Sequence, residues 1–325
     1  MLCSLPCWQR SSSLLRSRCL RSIVSPRGDY DWSNMSQIDQ FERGRGPGTD
    51  RQEKPRIVLL TSGTVASRRV AVLLAAHGVH FELLTVSYPP PRRGRRTIGG
   101  HILNGVRAHV ASLGPLRRIR QRHLPRYPVR PQYVGMCNRS RLLHALRCIR
   151  PDYILLMGGG ILSKETIASA RVGVINAHPG LLPWIRGLDV IRHAVARRNP
   201  IGVTGHFIDE GIDTGDTICR YLLPVTPVDD FHDLSERAEN LCCAVMVDLA
   251  CRVWQGETLP RLHFDRRYRY CGKMSRQDAE GIDGRIARGD AYRIFRCHDV
   301  SSSELLDGGS LLAEYRRWWG HRPVF

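Results

Sequence analysis

Two short stretches hold the side chains best suited to chemistry. Asn176 and His178 stand two residues apart in "INAHPGLLPWIRG", directly after an apolar run, and Asp213 lies in "DEGIDTGD" after a second such run. A carboxamide and an imidazole at spacing two on one strand share a face. Together they can donate hydrogen bonds to an oxygen that becomes negative when a nucleophile adds to a carbonyl. A carboxylate close to the imidazole favours its protonated form and can accept a proton from an attacking nucleophile. His206, in "GHFID", is either a partner to this group or a satisfied structural histidine. The Asp213-Thr214-Gly215 tripeptide also occurs in aspartic proteases, but that chemistry needs a second such carboxylate, or a dimer to supply it, and apolar residues running into the motif, and these surroundings are too polar.

The elements needed to position these groups are legible from residue 56 onward. "RIVLLTSG" is a strand, "SRRVAVLLAAHG" a helix closed by Gly78, and "VHFELLTVS" a second strand. A helix over 139–149, a strand in "DYILLMGGG", a short helix over 163–170 and a strand in "VGVINAHPG" follow. Next come a helix in "GLDVIRHAVARRN" and two strands flanking the Asp213 turn. Continuously apolar strands alternating with helices predict an α/β fold with a Rossmann-like, mostly parallel sheet covered by helices on both faces. Ligands of such sheets collect beyond the carboxyl ends of the strands, where Asn176 and His178 fall. The run Met157 to Gly160 lacks the full dinucleotide-binding spacing, so it reads either as a tight turn or as a close approach to a ligand.

Domain organisation follows from composition. Residues 1–54 are Ser- and Arg-rich, with no acid before Asp29, and read as a transit peptide or as an upstream extension ahead of Met35. The catalytic domain is placed at 55–264, with a basic insertion at about 89–130 and a short, partly helical C-terminal extension at 265–325. "SRQDAEGIDGRIARGD" has the pattern of a capped helix, and another short helix is expected near 116–122.

The formal charge is +19, yet lysine occurs only at 54, 164 and 273, so arginine carries the excess. No acid lies between Glu82 and Asp152, while arginines crowd "PPPRRGRRTIGG" and "LRRIRQRHLPRYPVRP". That insertion is either a solvated loop or an electrostatic funnel for a phosphorylated or nucleic-acid acceptor such as tRNA. Eleven cysteines form no CxxC pair and no zinc-like spacing, which points to reduced thiols and no metal site. No apolar stretch reaches the roughly 20 residues of a membrane span, so no membrane partner is expected. The expected location is cytoplasmic, or mitochondrial if residues 1–27 are a transit peptide.

The string "INAHPGLLPWIRG" followed by "GVTGHFIDEGIDTG" resembles the catalytic domain of formyltransferases that use 10-formyltetrahydrofolate, over about residues 55–260. The resemblance implies the formyltransferase fold and catalytic roles for Asn176, His178 and Asp213. It implies a pterin pocket lined by Ile161, Leu162, Ile208, Asp209, Gly211 and Ile212, with a folate donor and a primary-amine acceptor. The acceptor classes it opens are glycinamide ribonucleotide of purine biosynthesis, methionyl-tRNA and amino sugars. Three departures bear on that choice. Gly180 stands where the family usually has Ser. "TSGTVASRR" keeps Ser62-Gly63 but not the rest of the ribonucleotide enzymes' phosphate loop. The stretch after Phe264 is short for the β-barrel of the tRNA enzymes, although Arg186-Gly187 is similar to the tRNA and sugar-amine members. Formyl transfer leads; a hydrolase releasing formate from the same folate and an inactive basic RNA-interaction protein are the alternatives.

Overall fold

The computed structural model describes residues 53–87, 126–158, 160–264, 268–297 and 305–319. The expected helix near 116–122, nearly all of the basic insertion and the N-terminal segment lie outside the described residues. The described residues group into one compact unit.

Its frame is an eight-stranded sheet. The strands are β1 (Ile57–Thr61), β2 (Glu82–Ser87), β3 (Gln132–Met136), β4 (Tyr153–Met157), β5 (Gly173–His178), β6 (Gly202–Phe207), β7 (Thr217–Leu222) and β8 (Leu306–Asp307). They lie in the order β3-β2-β1-β4-β5-β6-β7-β8. β1 to β5 are parallel, β6 runs antiparallel to both of its neighbours, and β8 is parallel to β7. The sheet is mostly parallel, as the apolar strand pattern requires.

β1 and β4 are buried at every position and so serve two cores. Leu59 and Leu155 enter the larger core on one face, while Val58, Leu60, Ile154 and Leu156 enter the smaller core on the other. Helices α1 (Val65–Ala76) and α5 (Phe231–Trp254) supply the larger core, and α2 (Ser140–Ile149) the smaller. α5 starts in a reciprocal cap, Asp230 accepting from the Asp233 N–H and Asp233 accepting from the Asp230 N–H. The cysteines at 242 and 243 are buried on this helix and act as apolar filling, with burial pushing the Cys243 thiol up to about 12.

Helices α3 (Lys164–Ile167) and α4 (Val190–Ala196) follow β4 and the Asn-x-His turn. β3, which the sequence pattern did not disclose, is an edge strand with Gln132, Tyr133 and Met136 exposed, so it lacks the apolar run that marks the inner strands. The segment after Phe264 shares the main core. α6 (Arg276–Ala287), α7 (Asp290–Cys297) and α8 (Gly308–Trp319) bring in Ile286, Ala291, Leu311, Leu312 and Tyr315, and β8 extends the sheet. Ser275 caps α6 by accepting from the Asp278 N–H, as its sequence predicts.

Candidate active site

Asn176 and His178 occupy β5 two residues apart, so the pleat sends both to one face, and the antiparallel register sets His206 of β6 directly opposite Asn176. The polar contacts then follow a chain. The His206 Nδ1–H donates to its neighbour, the Phe207 carbonyl, at 2.9 Å, which leaves Nε2 bare to accept from Asn176 Nδ2 at 3.2 Å. This assignment orients the carboxamide. One N–H of Asn176 is spent on His206, and the other, with Oδ1, remains for a ligand. His206 is 1% exposed, and burial together with the nearby His178 lowers its pKa to about 4 despite Asp213. A neutral ring is what the acceptor role demands.

Asp213 sits in the turn between β6 and β7 at a left-handed φ of 51°, a conformation that Asp tolerates better than most side chains. Its Oδ2 accepts from the Gly187 N–H at 2.9 Å and lies 3.6 Å from His178 Nδ1, while Oδ1 lies 3.9 Å from His206 Nε2. One carboxylate therefore faces both imidazoles. On the other side of its ring, His178 Nε2–H donates to the Ile185 carbonyl at 3.2 Å. Burial lowers the His178 pKa, and Asp213 and the Ile185 carbonyl only partly offset it. The neutral ring then holds a bare Nδ1 toward Asp213, ready to take a proton. With both nitrogens turned to protein groups, His178 keeps no N–H for a ligand, whereas Asn176 keeps one that has no partner among the described residues.

Gly180 shapes this corner by what it lacks. A Cβ there would stand 2.6 Å from the Ile185 oxygen and 2.8 Å from His178 Nε2, so glycine leaves room for that hydrogen bond. The turn is braced from below, where Thr204 Oγ1 donates to the Gly180 carbonyl at 2.7 Å and accepts from the Leu182 N–H at 3.0 Å.

The residues expected around a pterin divide into two groups. Leu162 is 7% exposed within the smaller core, and Ile208 packs against the same core. Ile161 and Ile212 are 70% and 41% exposed and offer apolar surface. Asp209 shapes its own turn, accepting from the Gly211 N–H at 3.0 Å and Thr214 Oγ1 at 2.5 Å. The Ile161 loop is pinned by Asn138, whose Nδ2 donates to the Ile161 carbonyl and whose Oδ1 accepts from the Ser163 N–H, both at 2.8 Å. An exposed Lys164–Glu210 pair at 2.8 Å ties the two loops together; solvent screening leaves it little energy. Gly158 has a φ of 67°, and a Cβ on it would press to 2.5 Å from Thr64, the N-cap of α1, so its freedom serves that tight turn. Sequence reasoning left the role of His206 open and gave no part to the Gly187 N–H or the Ile185 carbonyl. Backbone groups carry no side-chain signature.

Residues 121–249 match the family described as "Formyl transferase". Over that stretch the chain is similar to the formyl transferase family. The formyl transferase match begins before β3 and contains all four side chains of the polar chain described above. The chain is similar to the methionyl-tRNA formyltransferase of Citrifermentans bemidjiense, 29% identical over 138 residues, covering 42% of this chain and 43% of the relative. It thus spans less than half the length of that relative. It is also similar to the trifunctional purine biosynthetic protein adenosine-3 of Drosophila melanogaster, 30% identical over 195 residues, covering 57% of this chain and 13% of the relative. Among solved structures, glycinamide ribonucleotide transformylase 1 from Symbiobacterium toebii aligns with a TM-score of 0.46 and 18% identity, over 67% of this chain and 100% of that one. Among the described residues no cluster of His, Cys, Asp or Glu could hold a metal ion, and no helix is long and apolar enough to cross a membrane.

Proposed function

We propose that the chain transfers the formyl group of 10-formyltetrahydrofolate to a primary amine. The observation that carries this reading is the Asn176, His178, His206 and Asp213 chain, in which one carboxamide N–H is fixed internally and the other has no partner among the described residues. Attack of an amine on the formyl carbon moves an electron pair onto the formyl oxygen. The free Asn176 N–H is the donor placed to stabilise it, and a preorganised donor of this kind contributes about 10²- to 10³-fold. The attacking nitrogen must shed a proton as its new bond forms. Asp213 is the acceptor, directly or through water, and the bare Nδ1 of His178 at 3.6 Å can share that proton with it. Collapse of the tetrahedral centre then breaks the formyl C–N bond to the folate, and the proton passes to the departing folate nitrogen. Ile161 and Ile212, exposed on two tethered loops, are the apolar surfaces available to a pterin ring.

Acceptor screening with 10-formyltetrahydrofolate tests this, following release of tetrahydrofolate alongside formate. Folate release that tracks a formylated amine supports transfer. Equal release of formate without any acceptor would make the protein a hydrolase, and no turnover with any amine or with water would remove the reading. A folate analogue should also raise Tm, because a ligand of the folded state alone stabilises it by mass action.

A further inference from the structure

β3 closes one side of the sheet, four strands and roughly 19 Å from β5, and no strand lies beyond it among the described residues. Its outer edge therefore carries N–H and C=O groups for which the sheet supplies no partner. A groove of about 530 Å³ runs along that edge. Gln132, Tyr133 and Val134 all line it. Successive strand residues point to opposite faces, so a groove that touches three in a row meets the strand from its side. The opposite wall is α2. Ser140 and Arg141, His144 and Ala145, and Cys148 and Ile149 recur in pairs four residues apart, which makes a single stripe along the helix. At the helical rise of 1.5 Å per residue that stripe is about 14 Å long. A slot between a free strand edge and a helix suits capture of a peptide by strand addition, in which the peptide backbone pairs with the edge and its side chains meet the walls. At 3.3 Å per residue it holds about four residues of extended chain.

The lining of the slot selects the peptide. Val134 and Ala145 are buried and make part of it apolar, and Tyr133, 64% exposed, adds an open ring at the edge. Arg141 brings the charge. Its stem lies against β3, where a Cβ on Gly135 would stand 3.6 Å from Arg141 Cδ. Arg130, Arg139, Arg147 and Arg150 are exposed on the adjoining segments, and none forms an ion pair among the described residues. No acid lies between Glu82 and Asp152, and Glu82 precedes the stretch of β2 that pairs with β3 from Leu84 opposite Gln132. A second copy of the chain would bring the same basic edge against itself, and residues 89–125 carry the same sign, so charge disfavours both as occupants. A phosphate backbone has no use for the strand edge. An extended acidic segment satisfies the edge, the apolar lining and the charge together.

We propose that the groove between β3 and α2 binds an extended acidic segment of a partner protein by strand addition. The site is separate from the catalytic corner and does not rest on the formyl-transfer reading.

The test titrates fluorescein-labelled hexapeptides that alternate Glu with Val, Leu or Phe into the full chain and follows anisotropy. At least one should bind with a Kd below about 1 mM. Its backbone N-methylated form, equal in charge but stripped of N–H donors, should bind at least about tenfold more weakly. Arg141→Glu should weaken binding at least about tenfold. Cys148→Trp fills the groove without changing its charge and should abolish binding; circular dichroism checks that both variants fold. A measurement on the wild type needs neither variant. Saturating peptide should slow iodoacetamide alkylation of Cys148 several-fold and leave that of Cys297, also exposed, unchanged, as read by mass mapping. Failure of all three peptides to bind, equal binding of the N-methylated form, or unchanged alkylation of Cys148 overturns the proposal. So does protection of Cys148 by single-stranded RNA alone, which would assign the arginines to phosphate. Protection that instead follows concentration-dependent dimerisation would give the edge to a second copy and overturn it as well.

Discussion

Lowering the pH from 7 to 5 should destabilise this protein through His206, and the size of the effect can be worked from its surroundings. Burial holds the folded-state pKa at about 4 against an ordinary value of 6.5. The folded value is the lower one, so between these limits the unfolded chain binds more protons and stability falls as the pH falls. The contribution is whole above pH 6.5. Weighing the two protonation equilibria gives a loss of about 2 kcal/mol between pH 7 and pH 5. His178, also lowered by burial, acts in the same direction. Carboxylates do not mimic the effect. Asp152 and Asp229, whose arginine partners outweigh the upward push of burial, lose their contribution only below the ordinary value of 3.8. Asp248, raised by burial, works in the opposite sense. Urea unfolding at both pH values, for wild type and His206→Gln, isolates the histidine. Wild type should lose about 2 kcal/mol more than the variant over this interval. Parallel losses would refute the argument that His206 is held neutral, and with it the orientation assigned to Asn176.

Three further outcomes follow from the same geometry. Asn176→Ala should lower kcat by about 10²- to 10³-fold while leaving folate-analogue affinity within a few-fold, measured by steady-state turnover and calorimetry. Asp213→Asn keeps an oxygen for the Gly187 N–H, so Tm should change little, but kcat should fall by about 10²- to 10⁴-fold because the proton acceptor is gone. Gly180→Ser places a Cβ within 2.8 Å of His178 Nε2, and the crowding should cost about 1 to 3 kcal/mol in urea unfolding; a variant as stable as wild type would show that the turn gives way.

The sequence alone determined the elements and their kind. The apolar runs at 57–60 and 153–157, with Val174 and Ile175 opening β5, separated by helical stretches, indicate a parallel sheet with two buried faces, because strands covered on both sides carry few polar positions. It also placed Asn176 and His178 on one face, since a strand repeats every two residues. Edge strand β3 escaped notice because it buries little and so carries no such pattern. What only the tertiary structure decided is the pairing across the site. The register that sets His206 against Asn176, and the turn that lowers Asp213 onto the Gly187 N–H and His178, join residues about 30 apart in the chain. Those distances are fixed by sheet register and backbone hydrogen bonds, which depend on packing of the whole sheet and leave no mark in local composition. The chain packed beside Gly187 is the extreme case. Cys271 reaches Arg186 through main-chain groups alone, and no side-chain spacing announces a contact made by the backbone.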